Sequence, residues 1–263
     1  MAQADTAAFD GMAQGYDAEF TATALGSVLR VCVWERMSVV FAGRERLLEL
    51  GCGTGEDAVR LARDGHRVIA IDSSGEMIRI ARRKALAAGC GERIEFHCLP
   101  IEKLHELPGN TQFDGVLSNF GAVNCVADIA GLANTLAELL VPGAPLLFVP
   151  MGRYVPWEWA WYLVRGDRRR AFRRLAKNGA DWRGLTIRYP TPTELARELQ
   201  PHFVSQRTRP LGFALPPSFA AGWLERSPRA LTALARIERV AHDWSGCANL
   251  SDHYIHEAVR RDS

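Results

Sequence analysis

No Cys-x-x-Cys pair occurs in this 263-residue chain. Its six cysteines, Cys32, Cys52, Cys90, Cys98, Cys125 and Cys247, are scattered, which excludes a zinc-ribbon or thioredoxin-like motif and argues against a disulfide framework. A reducing, cytoplasmic compartment is the simplest expectation. The chain lacks a basic start followed by an apolar core, so no signal peptide is expected. No apolar run approaches the length of a membrane span. A dominant charge sign is missing too: a net charge of +2 exerts no global pull toward nucleic acid or a membrane. There is no internal repeat, no low-complexity segment and no recognisable metal-ligand set, so no metal is expected. What remains, 48% hydrophobic and 24% charged, suits one globular unit over residues 1–263 with a sizeable core.

The most informative stretch is Leu47-Leu48-Glu49-Leu50-Gly51-Cys52-Gly53-Thr54-Gly55-Glu56-Asp57. An apolar run ends in a glycine-dense loop, and Ala58, Leu61 and Ala62 then recur at helical spacing. A strand feeding a helix through such a turn exposes backbone N–H groups, and glycines let a ligand approach them closely. Asp72 follows the first glycine by about 20 residues, the spacing of a ribose-binding acid in a doubly wound sheet. A dinucleotide site wants Gly-x-Gly-x-x-Gly, but its third position is Glu56 here. Two carboxylates at the helix start, Glu56 and Asp57, would repel a pyrophosphate and tolerate a ligand bearing cationic groups.

Glu49, Gly51, Gly53 and Gly55 form a Glu-x-Gly-x-Gly-x-Gly pattern that resembles motif I of the class I S-adenosylmethionine-dependent methyltransferases, with Cys52 inside the loop. The resemblance is strong over residues 9–150 and topological from 185 onward. It implies a Rossmann-like α/β fold: a seven-stranded, mostly parallel sheet with antiparallel strand 7 between strands 5 and 6, helices on both faces, and an inserted helical cap after strand 5. Strands are expected at 46–50, 67–71, 93–98, 113–118, 145–150, 203–211 and 252–260, with an extra short one at 185–189. Ser73 or Ser74 caps the helix after Asp72. Family members place the acid at Asp72 on the ribose and the methionine at Met77 on the adenine; core filling fits Met77 equally. The family's usual adenine-binding acid falls at Pro100, which shifts that role to Ile101 and Glu102. The strand-4 edge resembles motif IV, where Ser118 or Asn119 contacts the methionine part of the cofactor and Phe120 and Asn124 face the methyl acceptor. Asn119 and Asn124 fit turn residues equally. Asn119-Phe120 lacks both prolines of the amino-methyltransferase signature, so N-methylation is not inferred.

Residues 1–8 are small and polar and read as frayed. Residues 9–38 resemble the family's N-terminal lid helix, whose tyrosine, here Tyr16, lines the active site; on physical grounds Tyr16 is an amphipathic helix residue that could simply pack. Val31, Val33, Trp34, Met37 and Val40 are expected on the sheet. Residues 151–185 look like an acceptor cap. Trp157, Trp159, Trp161 and Tyr162 cannot share one helix face, so some must meet another element or a ligand; Trp157 and Trp161 are the expected acceptor contacts. Arg165 to Arg174 read as a solvated face, with an anionic acceptor as the other reading.

The resemblance implies methyl transfer from S-adenosylmethionine, leaving S-adenosylhomocysteine, to a small-molecule acceptor on O, N or C. The work is mainly proximity and in-line alignment. A base is needed only where the acceptor loses a proton; Tyr16 and His253 are the first candidates, with His256, His242 and Glu158 behind them. The other readings are a non-catalytic S-adenosylmethionine-binding partner subunit, an RNA methyltransferase and an NAD-type oxidoreductase. The acceptor and the oligomeric state stay open.

Overall fold

A computed structural model describes residues 9–109, 112–220 and 222–262. The frayed reading of residues 1–8 lies outside them. The chain starts with a short helix α1 (Ala13–Tyr16), which runs into a π-helical turn (Asp17–Thr21). Helix α2 (Ala24–Val40) follows, capped by Thr23, whose side chain accepts from Gly26 N at 3.0 Å. The single helix expected over this region is therefore broken. The Thr23 hydroxyl draws the first N–H of a new helix and sets a new axis.

The main sheet has the order β3-β2-β1-β4-β5-β9-β8. Its strands are β1 (Arg46–Leu50), β2 (Arg67–Asp72), β3 (Ile94–Cys98), β4 (Gly115–Ser118), β5 (Pro145–Phe148), β8 (Phe203–Leu211) and β9 (His253–Arg260). The first five run parallel, and β9 lies antiparallel between β5 and β8. This is the fold class read from the sequence. The central strands are covered on both sides, which is why 145–148 is a continuous apolar run and 47–50 is interrupted only by the buried Glu49.

Helices α3 (Glu56–Arg63) and α4 (Gly75–Ala87) cover one face with α2, burying Val33, Met37, Leu61, Ala62 and Ala81 against Leu47 and Val68. Helices α5 (Ile129–Leu139) and α8 (Pro192–Leu199) cover the other, where Leu132, Leu136, Leu195 and Leu199 meet Leu48, Leu50 and Phe148. Ser74, not Ser73, caps α4, accepting from Met77 N at 3.1 Å. Thr191 and Glu194 close a capping box on α8, with Pro192 in its first turn. On α2, Val33 and Met37 are buried as expected, but Val31 is exposed.

After β5 the chain builds α6 (Pro156–Leu163), a short α7 (Arg168–Ala171) and a hairpin of β6 (Ala180–Trp182) and β7 (Leu185–Ile187). The β6 strand was not expected from the sequence. After β8 come a short α9 (Gly222–Glu225) and α10 (Pro228–Ala241), whose Glu238 turns inward and accepts from the backbone N–H groups of Gly212 and Ala214 at 2.7 and 2.8 Å. No helix among the described residues is long and apolar enough to cross a membrane.

Candidate active site

In open α/β sheets ligands lie beyond the carboxyl ends of the strands, at the point where strand order reverses. Here that point falls between β1 and β4. The loop leaving β1 turns on Gly51, Gly53 and Gly55, all with positive φ (68°, 52° and 79°). A Cβ on Gly51 would stand 2.2 Å from Ala122 Cβ, and one on Gly55 2.7 Å from Ala81 Cβ. A Cβ on Gly53 would meet nothing within 4 Å. Two of the glycines therefore let protein pack against the loop, and the third faces open space. The turn is pinned to β2 because Gly53 N donates to Asp72 Oδ2 at 2.8 Å and Ser74 N donates to Asp72 Oδ1 at 2.9 Å. Each carboxylate oxygen keeps a further lone pair for a ligand hydroxyl. Burial raises the Asp72 pKa, with the two N–H donors opposing it.

Beside this loop is a small cleft lined by Tyr16, Arg30, Gly51, Cys52, Gly53, Thr54, Glu56, Asp57, Asn119 and Phe120. Its floor is a charge network. Asp57, on the first turn of α3, accepts from Arg30 Nη1 at 2.7 Å, Trp34 Nε1 at 2.7 Å and Asn119 Nδ2 at 2.8 Å. Arg30 is 5% exposed, and its Nε has no hydrogen-bond partner. Glu49, at the end of β1, is also buried with Oε2 unpartnered, and burial drives its pKa well above the usual carboxylate value. Glu56 and Lys84 pair at 2.9 Å, so Glu56 and Asp57 answer charges within the protein rather than standing free toward a ligand. That corrects the expectation of two uncompensated carboxylates at the helix start.

The cleft's other wall is aromatic. Phe120 has a left-handed φ of 46°, unusual for a bulky residue, and lies between Phe20 and His253 with ring centroids 4.9 and 5.6 Å away. The Arg30 guanidinium sits 4.8 Å from the Phe120 ring centroid. The N-terminal segment closes over this wall: Asp17 accepts from Thr54 Oγ1 at 2.6 Å and pairs with Lys84 at 2.7 Å, and Asp10 bonds the Ser74 hydroxyl. Burial raises the Tyr16 pKa, and Arg30 pulls it back only in part.

Several residues singled out in the sequence lie elsewhere. Ser118 is fully buried, and its hydroxyl donates to Leu50 O at 3.1 Å. Asn124 is also fully buried: Nδ2 donates to Met151 O and Arg188 O at 3.2 and 2.6 Å, and Oδ1 accepts from Met151 N at 2.8 Å. Its amide is fully committed to backbone, so it does not face an acceptor. Trp161 stacks under the Arg165 guanidinium at 3.4 Å, and Trp157 is half-buried outside the cleft lining. Trp159 meets Phe172, and Tyr162 meets Phe219, so the cap aromatics are shared among protein partners. Met77 is buried, Glu102 is exposed, and neither these two nor Ser73 and Ile101 line the cleft.

His253, at the start of β9, is brought to the sheet's ligand edge. Its Nδ1 lies 3.2 Å from Asp252 Oδ2. Arg174 Nη2 sits 2.7 Å from Asp252 Oδ1 and 2.8 Å from the buried Glu158. Burial opposes ionisation of Asp252, but Arg174 and then His253 outweigh it and hold the carboxyl well below the usual range. Arg174 is thus a buried clamp rather than part of a solvated face, and Glu158 is its counter-charge. His256 and His242 face β8 and the Pro210 carbonyl, away from the cleft. Among the described residues no group of three His, Cys, Asp or Glu side chains could hold a metal ion.

Sequence reasoning passed over Arg30 and Asp252 and did not use Asp57 as a site residue. A signal for Arg30 existed. It occupies the buried stripe of α2, with Gly26, Val33 and Met37, where a lone charge needs a partner.

Residues 47–143 match the family described as a methyltransferase domain. The chain has a class I methyltransferase fold. The CcbJ methyltransferase from Streptomyces caelestis superposes over 98% of this chain and 99% of that one, with a TM-score of 0.61 at 18% identity. The methyltransferase domain also carries sequence likeness. The tRNA 5-carboxymethoxyuridine methyltransferase of Escherichia coli K12 is 30% identical over 143 residues, covering 52% of this chain and 54% of that protein. A ubiquinone biosynthesis O-methyltransferase of Methylocella silvestris is 33% identical over 155 residues, covering 59% and 56%. The chain thus spans about half the length of the curated relatives it matches.

Proposed function

We propose that this chain transfers a methyl group from S-adenosylmethionine to a small-molecule acceptor, working as one unit in which residues 9–38 serve as a lid and residues 151–185 as an acceptor cap. The observation that carries this reading is the cleft at the β1–β4 switch point, lined by the left-handed Gly51 and Gly53 and the Arg30 guanidinium, with the Asp72 carboxylate bonded to the Gly53 N–H of the same loop. The residues fit the cofactor's chemistry. Asp72 has lone pairs left for ribose hydroxyls. The unpartnered Arg30 Nε suits the methionine carboxylate, and the buried, unpartnered Glu49 suits its ammonium. Ile101 and Glu102, outside the lining of this cleft, are the residues expected to meet the adenine through their backbone groups.

S-adenosylmethionine, when bound, supplies a methyl group on a sulfonium with a neutral thioether as leaving group. The protein's part is to bind, align and exclude water, which for a well-oriented pair lowers a barrier by several kcal/mol. Tyr16, Phe20 and Phe120 form the apolar wall that does so. His253 takes a proton where the acceptor must lose one, and Asp252, paired with Arg174 and 3.2 Å from His253 Nδ1 without a hydrogen bond to it, stabilises the imidazolium by its charge.

Tritium-labelled methyl donor, offered with pooled small phenols and carboxylic acids and separately with tRNA, tests this reading. Label in the small-molecule fraction is expected, reduced about 100-fold or more by His253→Asn for acceptors that lose a proton. Label in tRNA would overturn the small-molecule acceptor. Label in neither, with S-adenosylhomocysteine still bound, would replace the enzyme reading by that of a cofactor-binding partner.

A further inference from the structure

The second half of the chain carries a surface that the cleft does not use. Helix α10 (Pro228–Ala241) buries one side against α2 and the loop after β8, with Glu238 turned inward to that loop. Its outer side mixes apolar and basic residues. Ile237, Val240 and Trp244 are 52%, 62% and 60% exposed. Ala233, Ile237 and Val240 recur at the i, i+4, i+7 spacing of a helical stripe, and Trp244 follows in the turn beyond the helix end. Three large exposed apolar side chains within eight residues are more than the scatter of single apolar residues found on ordinary surfaces.

The exposed charges on the helix itself are all of one sign. Arg229, Arg236 and Arg239 are exposed on the same helix. The helix's one acid, Glu238, is buried. Asp243, just beyond it, is held by Arg207 and Arg209 at 3.1 and 2.6 Å. A near-neutral chain thus carries a local basic, apolar face. A two-fold partner copy would set the three arginines against themselves. A nucleic acid would meet the guanidiniums but leave Ile237 and Val240 without a use. A bilayer with anionic headgroups satisfies both, taking the stripe at the acyl boundary and the guanidiniums among the phosphates.

We propose that α10 docks this protein on an anionic lipid surface. The proposal does not depend on which molecule is methylated.

The test is co-sedimentation of the full chain with phosphatidylcholine vesicles, with and without phosphatidylglycerol. Two double variants accompany it, Ile237→Ser with Trp244→Ser and Arg229→Gln with Arg236→Gln, each checked for native circular dichroism and unchanged S-adenosylhomocysteine affinity. The wild type is expected to bind phosphatidylglycerol vesicles at least about tenfold more tightly than phosphatidylcholine alone, and to be released by about 0.5 M salt. Each arginine removed weakens binding about fivefold. The apolar double variant weakens it by about tenfold or more. Absence of binding to the anionic vesicles, or binding that the apolar variant leaves unchanged, would overturn the proposal. So would a dimer in sedimentation that the same variant dissolves, or tRNA binding that the arginine variant abolishes while vesicle binding persists.

Discussion

Arg30 Nη1 reaches Asp57 Oδ2 at 2.7 Å across the 27 residues that separate them, joining α2 to the first turn of α3 directly beneath the glycine loop. Both side chains are almost wholly buried, and the pair shares its acceptor with Trp34 and Asn119. Burying two charges costs several kcal/mol of desolvation, offset only while both partners remain. Removing one leaves the other stranded. Arg30→Met is therefore expected to destabilise the fold by about 3–5 kcal/mol in urea titrations. It is also expected to lower S-adenosylhomocysteine affinity about tenfold or more by leaving the ligand carboxylate without its donor. Unchanged affinity in the folded fraction would remove Arg30 from the cofactor site.

Gly51 and Gly53 separate packing from binding. Gly51→Ala adds a Cβ 2.2 Å from Ala122, whereas Gly53→Ala adds one into open space. Both pay for a left-handed backbone, on the order of 1 kcal/mol. Gly51→Ala is expected to lose clearly more stability than that. Gly53→Ala is expected to stay folded yet bind S-adenosylhomocysteine about tenfold or more less well, because its methyl group occupies the ligand's approach. Thermal melts and calorimetry on the two variants check the split.

Asn124 tests the opposite case, a residue of the strand-4 edge that serves the fold. Its amide ties the Met151 and Arg188 backbones to the 122–125 turn. Asn124→Ala is expected to cost roughly 2–4 kcal/mol of stability, as buried backbone groups lose their partner. At a temperature where the variant is folded, its S-adenosylhomocysteine dissociation constant should lie within about threefold of wild type.

Acid stability follows from His256. Burial lowers its pKa from 6.5 to about 4, and its ring nitrogens meet Ser205 and Thr208 at 3.2 and 3.1 Å. The folded state thus prefers the neutral ring, and the unfolded state takes up the proton first. The stability this ring contributes is complete above pH 6.5 and is lost as the pH falls toward about 4, a change of roughly 3 kcal/mol. Denaturant titrations from pH 7 to pH 4 on wild type and His256→Gln check it: the variant's stability should fall less across this window.

The central unit of this fold was readable because local and global signals agree there. Apolar runs, a glycine turn, caps at Ser74 and Thr191 and an acid at the end of β2 each dictate one local structure. Their alternation leaves few topologies. The misses have physical causes. The break at Ala22-Thr23 hinges on one hydroxyl that reads as an ordinary helix residue. The Ala180–Trp182 strand is too short for its period to show. The cap's aromatics are plain in the sequence, but their partners are not: Trp161 found Arg165, and Tyr162 found Phe219, 57 residues away in the chain. The Arg30–Asp57 and Arg174–Asp252 pairs join distant segments, which no local pattern encodes. Motif reading therefore pointed to the loop at the β1–β4 switch point, while the charges that organise that place came only from the folded chain.

The central claim is that the cleft at the β1–β4 switch point takes S-adenosylmethionine, and calorimetric titration tests it most directly. S-adenosylhomocysteine and, separately, NAD would be titrated into wild type and Asp72→Ala. Micromolar binding of S-adenosylhomocysteine is expected, weakened about tenfold or more by the substitution, with no heat from NAD. Binding of NAD, binding of neither ligand, or S-adenosylhomocysteine affinity indifferent to Asp72→Ala would contradict it.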